Sequence, residues 1–247
     1  RVIHARHAVA ISTGSDAVIP PIEGLQESAP WTSREATSAE ELPESLAVIG
    51  GGVVAVEMAT AYAALGSTVT IIARSGLLGS MEPFAGERVA AGLKELGVDV
   101  RTDTGTTSVT RGDDGVSIVL DDGSTVTATE VLVATGRSPR SGDIGLDVVG
   151  LEAGRWITVD DTLRVPGSDW LYAVGDVNGR VLLTHQGKYQ ARAAGDVIAA
   201  RAKGEDVDDA PWGKHVATAD SAGAPQVTFS FPEVASVGLT EADARKA

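Results

Sequence analysis

The run Gly50-Gly51-Gly52-Val53-Val54-Ala55 constrains this chain more than any other feature, because it sets Gly50, Gly52 and Ala55 at the first, third and sixth places of a G-x-G-x-x-G/A string. The apolar residues 46–50 before it read as a buried strand, and the small apolar residues 53–65 after it read as a helix. In that setting Gly50 permits a tight turn and Gly52 lets backbone approach a pyrophosphate at the helix N-terminus. Ala55 is small enough for helix and strand to pack closely. A second strand at 68–73, a helix at 86–96 and a further strand from 98 follow in βαβα order, which predicts a parallel sheet with right-handed crossovers. The pattern is that of a Rossmann unit for a dinucleotide, with Gly50, Gly51, Gly52, Val53, Val54 and Ala55 as its contact residues.

In units that prefer NAD, an acidic residue about 20 positions further on, at the end of the second strand, hydrogen-bonds the ribose 2′-hydroxyl. Here that strand ends Ile71-Ile72-Ala73-Arg74-Ser75. Arg74 offers a planar fork of donors to a 2′-phosphate and Ser75 a hydroxyl, so NADPH is favoured and NADH stays open. Glu57 is the one charge in the first half of the 53–65 helix, so burial is expected and a partner required. It is either one half of a structural ion pair or a group beside a reacting nicotinamide.

The rest of the chain falls around this unit. Residues 7–11 read as a strand closing in Ser12-Thr13-Gly14, and 16–45 as a Pro-, Ser- and Glu-rich connector with one helical turn. Residues 106–129 switch to period-two runs broken by Gly112-Asp113-Asp114-Gly115 and Asp121-Asp122-Gly123-Ser124, which predicts a β-meander. Residues 130–134 return as a buried strand ending Thr135-Gly136-Arg137. Its echo of Ile11-Ser12-Thr13-Gly14-Ser15 implies two related domains. A further strand at 170–174 closes in Gly175-Asp176, at the sheet edge where ligands bind, and Thr184 starts a long helix to 202 whose free N–H groups face a developing anion. Residues 226–231 and 234–239 read as paired strands, followed by a helix capped by Thr240 with Asp243 three residues on.

Composition bounds the partners. A formal charge of −14 repels nucleic acid and anionic lipid, and 43% hydrophobic content gives a substantial core. The longest apolar stretch, 46–56, is too short to span a bilayer. With no cysteine there is no disulfide framework and no thiolate metal site, so no metal is expected and the compartment is read as cytoplasmic. The sequence opens at Arg1 without an initiator Met and stops at Ala247 inside what reads as a helix, as a piece of a longer chain does.

Taken in order, Ser12-Thr13-Gly14-Ser15, then GGGVVAVEMA from Gly50, VLVATGRSP from Val131, WLYAVGD from Trp170 and TFSFPEVASVGLTEADA from Thr228 resemble the FAD-dependent pyridine nucleotide-disulfide oxidoreductases, the group of glutathione reductase, dihydrolipoamide dehydrogenase and mercuric reductase. The resemblance implies an α/β fold of Rossmann-like FAD- and NAD(P)-binding domains with parallel sheets and a β-meander, plus the start of an α+β dimerisation domain. Residues 1–45 and 138–205 would belong to the FAD domain, 46–137 to the NAD(P)H domain and 206–247 to the dimerisation domain. It further implies that Thr106 lies near the adenine, that Gly136 and Arg137 line the dinucleotide cleft, and that Glu57 matches a glutamate paired with a lysine beside the flavin. Gly14, Gly175 and Asp176 would serve the flavin side, Asp176 on the ribityl chain, with backbone around Thr184 at the pyrimidine edge. The implied enzyme passes hydride from NADPH to FAD and on to a disulfide-type acceptor, a small molecule or small protein, and is a homodimer at full length. The family's FAD fingerprint, Cys-x4-Cys pair and lysine would precede Arg1, and its His-Pro-x3-Glu segment would follow Ala247. Ser80 stands near where NADPH-specific relatives often place a second arginine. A cysteine-independent flavoprotein reductase or oxidase, and a catalytically silent nucleotide-binding module, are the alternatives.

Overall fold

A computed structural model describes residues 2–246, the side chains of residues 221 and 222 excepted. Along the chain run strands β1 (Val9–Ile11) and β2 (Ser15–Ala17), helix α1 (Ser33–Ser38), β3 (Ser45–Ile49), α2 (Val53–Leu65), β4 (Thr68–Ile72), α3 (Pro83–Glu95) and β5 (Asp99–Arg101). Then come β6 (Thr106–Gly112), β7 (Gly115–Leu120), β8 (Thr125–Ala128), β9 (Glu130–Val133), β10 (Arg137–Pro139), β11 (Leu171–Ala173), α4 (Thr184–Lys203), α5 (Ala219–Ala222), β12 (Pro225–Thr228), β13 (Val234–Val237) and α6 (Glu241–Ala244). The expected ending inside a helix at Ala247 falls outside the described residues, and α6 is capped at its start by Thr240, whose hydroxyl accepts from the Asp243 N–H.

The chain divides into two compact units, one of residues 2–16 and 137–225, the other of 17–136 and 226–246. In the second, β5-β4-β3-β9 form a parallel sheet, with Val48 opposite Ile71 on one side and Leu132 on the other. Its central strands are almost wholly apolar because they are covered on both faces. On one face, α2 and α3 bury Val56, Ala59, Tyr62, Val89 and Leu93 against Leu46, Val48, Ile71 and Leu132. On the other, the antiparallel meander β6-β7-β8 buries Val109, Ile118, Leu120 and Val126 against Ala47, Ile49, Val131 and Val133. Each fully buried Val, Leu or Ile contributes about 1.5–3 kcal/mol, so the two faces hold the sheet in comparable measure.

The boundary at 45/46 differs from the packing. Residues 17–45 sit with the parallel sheet: Trp31 exchanges backbone hydrogen bonds with Val131 and Val133 at 2.8 Å each, and Leu25 is fully buried in the meander cluster. The Tyr62 hydroxyl donates to the Ala36 carbonyl at 2.7 Å, tying α1 to α2. Residues 226–246 also pack here. A side chain at Gly92 of α3 would collide with the Phe231 carbonyl, and Val234 lies against the α2–α3 core.

In the first unit β1 pairs in parallel with β11, Val9 opposite Leu171 and Ile11 opposite Ala173. Helix α4 lays Ala193, Ala194 and Val197 against Tyr172 and Val174. No helix among the described residues is long and apolar enough to cross a membrane.

Candidate functional site

The β3–α2 turn separates the work of its three glycines. Gly50 has φ +137°, and a Cβ there would overlap the Ala134 carbonyl at the end of β9, so only glycine fits. Its N–H donates to the Ile72 carbonyl at 2.9 Å. At Gly51 a Cβ would stand 3.0 Å from Ala73 Cβ, and the Gly51 carbonyl accepts from Leu78 N–H at 2.7 Å. Gly52 is the N-cap of α2 with an ordinary φ of −82°, and no atom lies within 4 Å of where its Cβ would be. Among the described residues no side chain caps α2, so its first amides and the positive end of its dipole open onto the space beside Gly52. A helix start of this kind suits an anion. Val53 and Val54 are half-buried in the first turn, and Ala55 is fully buried against the sheet.

Past the end of β4, the Ala73 N–H donates to Arg101 and the Ala73 carbonyl accepts from Thr104. Arg74 and Ser75 follow and are exposed. Arg74 makes no hydrogen bond or ion pair among the described residues, while the Ser75 hydroxyl is 3.5 Å from the Gly76 carbonyl. Ser80 is exposed as well. Thr106 opens β6 with its Oγ1 buried and without a hydrogen-bond partner among the described residues. Gly136, at φ +153°, is exposed, and its carbonyl accepts from Val18 N–H at 3.0 Å.

Glu57 corrects the expectation of a buried charge. It is half-buried in α2, and its Oε1 accepts the backbone N–H of Phe229 at 3.0 Å. The small neighbours that suggested burial leave the carboxylate partly open, and a backbone amide is its partner among the described residues.

In the first unit a polar chain meets at Asp176. The Ser15 hydroxyl donates to Asp176 Oδ2 at 2.6 Å, while Arg137 Nε donates to the same hydroxyl at 2.6 Å and Nη2 to the Ser15 carbonyl at 2.8 Å. Arg137 Nε is 3.8 Å from Asp176 Oδ2. Arg137 therefore belongs with residues 137–225 and not with the unit of Gly136, because its guanidinium is committed to Ser15 and Asp176. Ser15 was not singled out from sequence, although it stands in the quoted Ser12–Ser15 string. Gly14 (φ +79°) precedes it, its carbonyl accepting from Arg140 N–H at 3.0 Å. Gly175 (φ +74°) turns the chain after β11 to present Asp176. Thr184 is the first residue of α4, exposed, and that helix also starts without a side-chain cap. His185 Nε2 lies 3.0 Å from the Pro225 carbonyl, which makes it a donor to backbone. Among the described residues no group of three or more His, Asp or Glu is placed to hold a metal.

Residues 3–196 match the family model described as pyridine nucleotide-disulphide oxidoreductase. The chain is 37% identical over 239 residues to a mercuric reductase of Shigella flexneri, covering 95% of this chain and 40% of the relative. It is 34% identical over 253 residues to a dihydrolipoyl dehydrogenase of Haloferax volcanii, covering 99% and 50%. Among solved structures it superposes on the HOCl-induced flavoprotein disulfide reductase RclA of Escherichia coli with a TM-score of 0.82 at 26% identity, over 99% of this chain and 54% of that one. For LpdA of Mycobacterium tuberculosis the TM-score is 0.79 at 28% identity, over 97% and 50%. The chain thus spans two-fifths to one half of the curated relatives it matches. With the family match covering most of its length, this chain belongs to the pyridine nucleotide-disulphide oxidoreductase family.

Proposed function

We propose that the chain holds NADPH at the β3–α2 turn and the ribityl side of FAD at Asp176, within an oxidoreductase that delivers reducing equivalents to a disulfide-type acceptor, a small molecule or small protein. The observation that carries this reading is the conjunction at one sheet edge: a glycine turn opening onto the uncapped start of α2, and an exposed Arg74, without a partner among the described residues, just past the neighbouring strand. When bound, the nicotinamide supplies a hydride and the flavin accepts it. The residues of this chain hold and orient. Gly52 leaves room for a pyrophosphate, Arg74 and Ser75 would meet a 2′-phosphate, and Thr106, whose buried hydroxyl has no hydrogen-bond partner among the described residues, would lie near the adenine. Asp176 has one carboxylate oxygen engaged by Ser15, leaving the other to accept from a sugar hydroxyl. Glu57 is assigned to the nicotinamide's surroundings, its carboxylate oriented by the Phe229 amide. The exposed apolar side chains of Phe229, Phe231, Val237 and Leu239 support assembly as a homodimer.

The test is anaerobic reduction of the FAD-loaded full-length protein, since this chain spans only part of the length of its relatives. NADPH is expected to bleach the flavin at lower concentration than NADH. Bleaching that needs as much NADPH as NADH refutes the cofactor assignment, and none with either refutes the reading as a whole.

A further inference from the structure

The turn that carries Asp176 is held by a buried side chain on another element. Residues Gly175–Asn178 form a single 3-10 turn after β11. Gln190, fully buried on α4, accepts at one oxygen from both ends of that turn: Gly175 N–H at 2.7 Å and Asn178 Nδ2 at 2.8 Å. Its other end, Nε2, donates to Asp220 Oδ2 at 2.8 Å. Asp220 is itself buried, with a side chain 1% exposed, and the same Oδ2 accepts from Arg180 Nε at 3.2 Å. The backbone N–H of Arg180 donates to Asn178 Oδ1 at 3.0 Å, which closes a circuit through Gln190, Asp220, Arg180 and Asn178.

Each amide in this circuit has one permitted orientation. Turning Gln190 over would set its NH2 against the Gly175 and Asn178 donors, and its oxygen against the Asp220 carboxylate. Only an acceptor at position 220 keeps Nε2 facing away from the turn. Burial raises the carboxyl of Asp220, and its Oδ1 has no partner among the described residues, so the group sits there at a cost that Arg180 and Gln190 offset. A buried carboxylate in this position is explained by what it orients.

We infer that Gln190, its amide fixed by Asp220, is the positioning residue of the Gly175–Asn178 turn, and that it sets Asp176 for its ligand from the far side of the turn. The ligand half of this statement rests on the proposal that Asp176 serves FAD.

Two measurements on the full-length protein separate the halves: hydrogen exchange of the Gly175 amide by NMR, and FAD affinity by fluorescence titration, both well below the unfolding temperature of each variant. In Gln190→Leu the Gly175 amide loses its acceptor. Its exchange should rise at least about ten-fold relative to amides of β3, and FAD binding should weaken about ten-fold. Gln190→Glu keeps the acceptor for the turn but sets two carboxylates against each other. Adding Asp220→Asn removes the carboxylate–carboxylate repulsion and lets the new amide donate to the carboxylate introduced at position 190, while Arg180 Nε gives up its acceptor, so the double variant should recover part of both losses of Gln190→Glu. A merely structural role would lower thermal stability without this rescue. Unchanged Gly175 exchange in Gln190→Leu overturns the inference, as does a double variant no better than Gln190→Glu. If Asp176→Ala loses FAD while Gln190→Leu binds it normally, the coupling to Asp176 is refuted. If Asp176→Ala binds FAD as the wild type does, the flavin reading fails, and Gly175 exchange with its rescue alone decides the positioning role. Where Gln190→Leu does not fold, the Gln190→Glu and double-variant pair decides by the same readouts.

Discussion

Replacing Arg74 by alanine isolates a ligand interaction, because the side chain is exposed and makes no hydrogen bond or ion pair among the described residues. The backbone before it is fixed without its help, Ala73 being bonded to Arg101 and Thr104 on either side. Folding stability should therefore change by less than about 0.5 kcal/mol, the usual range for surface positions of this kind. A charge-assisted hydrogen bond to a phosphate is worth about 1.5–3 kcal/mol, and exposure to solvent argues for the lower half of that range. At 1.4 kcal/mol per decade, Arg74→Ala should weaken NADPH by about 10- to 40-fold at low salt and by less as ionic strength rises. NADH, which lacks the 2′-phosphate, should change by less than about two-fold. Arg74→Lys keeps the charge and loses the planar fork, so it should fall between wild type and alanine. Calorimetric titration of both cofactors at two salt concentrations measures all of this. Wild type binding NADH as tightly as NADPH, or alanine weakening both alike, would show that Arg74 is an ordinary surface arginine.

The glycines of the turn should part company. Gly50→Ala meets the Ala134 carbonyl at a positive φ and should cost about 2–4 kcal/mol in urea unfolding, whereas Gly52→Ala projects into open space and should cost less than about 1 kcal/mol yet lose NADPH. Equal stability losses would refute the division of roles. The Thr32 and Glu35 capping box holds the Glu35 carboxyl below the ordinary value of 4.5, chiefly through its hydrogen bonds with Thr32. Its stabilisation is present above that value and is lost as pH falls through the lowered one, so the advantage of wild type over Glu35→Gln should shrink on acidification. For Asp220 the sign is opposite. Burial raises its carboxyl above 3.8, with Gln190 and Arg180 opposing and Asp161 adding to the rise, so over that window the folded state binds more protons and stability falls as pH rises. The free-energy difference should shift in favour of Asp220→Asn from pH 3.8 upward, and a flat difference in denaturant midpoints would contradict this.

Much of the Rossmann-like unit is legible because its signals are local. The helix expected at 53–65 is Val53–Leu65, since a glycine cap on either side of a small apolar run leaves no other place to start or stop. The meander followed from two Gly-Asp turns between period-two runs, realised as β6-β7-β8. The docking of 17–45 was not legible, because Leu25 and Trp31 find partners some 80 to 100 residues away, and nothing in a Pro-Ser-Glu-rich stretch marks them. Arg137 likewise follows β9 in sequence but takes a partner in Ser15, 122 positions earlier.

The Gln190 circuit shows where a readable signal went unused. Gln186, Gln190, Ala193, Ala194 and Val197 fall at helical spacing on the buried side of α4. Two amides on an otherwise apolar face are costly unless each finds partners, and that alone predicts a polar structure beneath the helix. What sequence withholds is the partner. Asp220 lies 30 positions on, in a segment without periodicity, and reads as one more of 34 acidic residues until the fold buries it. The asymmetry is physical: an apolar face is satisfied by any close-packed neighbour, so its pattern suffices to place it, whereas a buried amide needs a donor or acceptor at a defined point, and only the tertiary fold supplies that point.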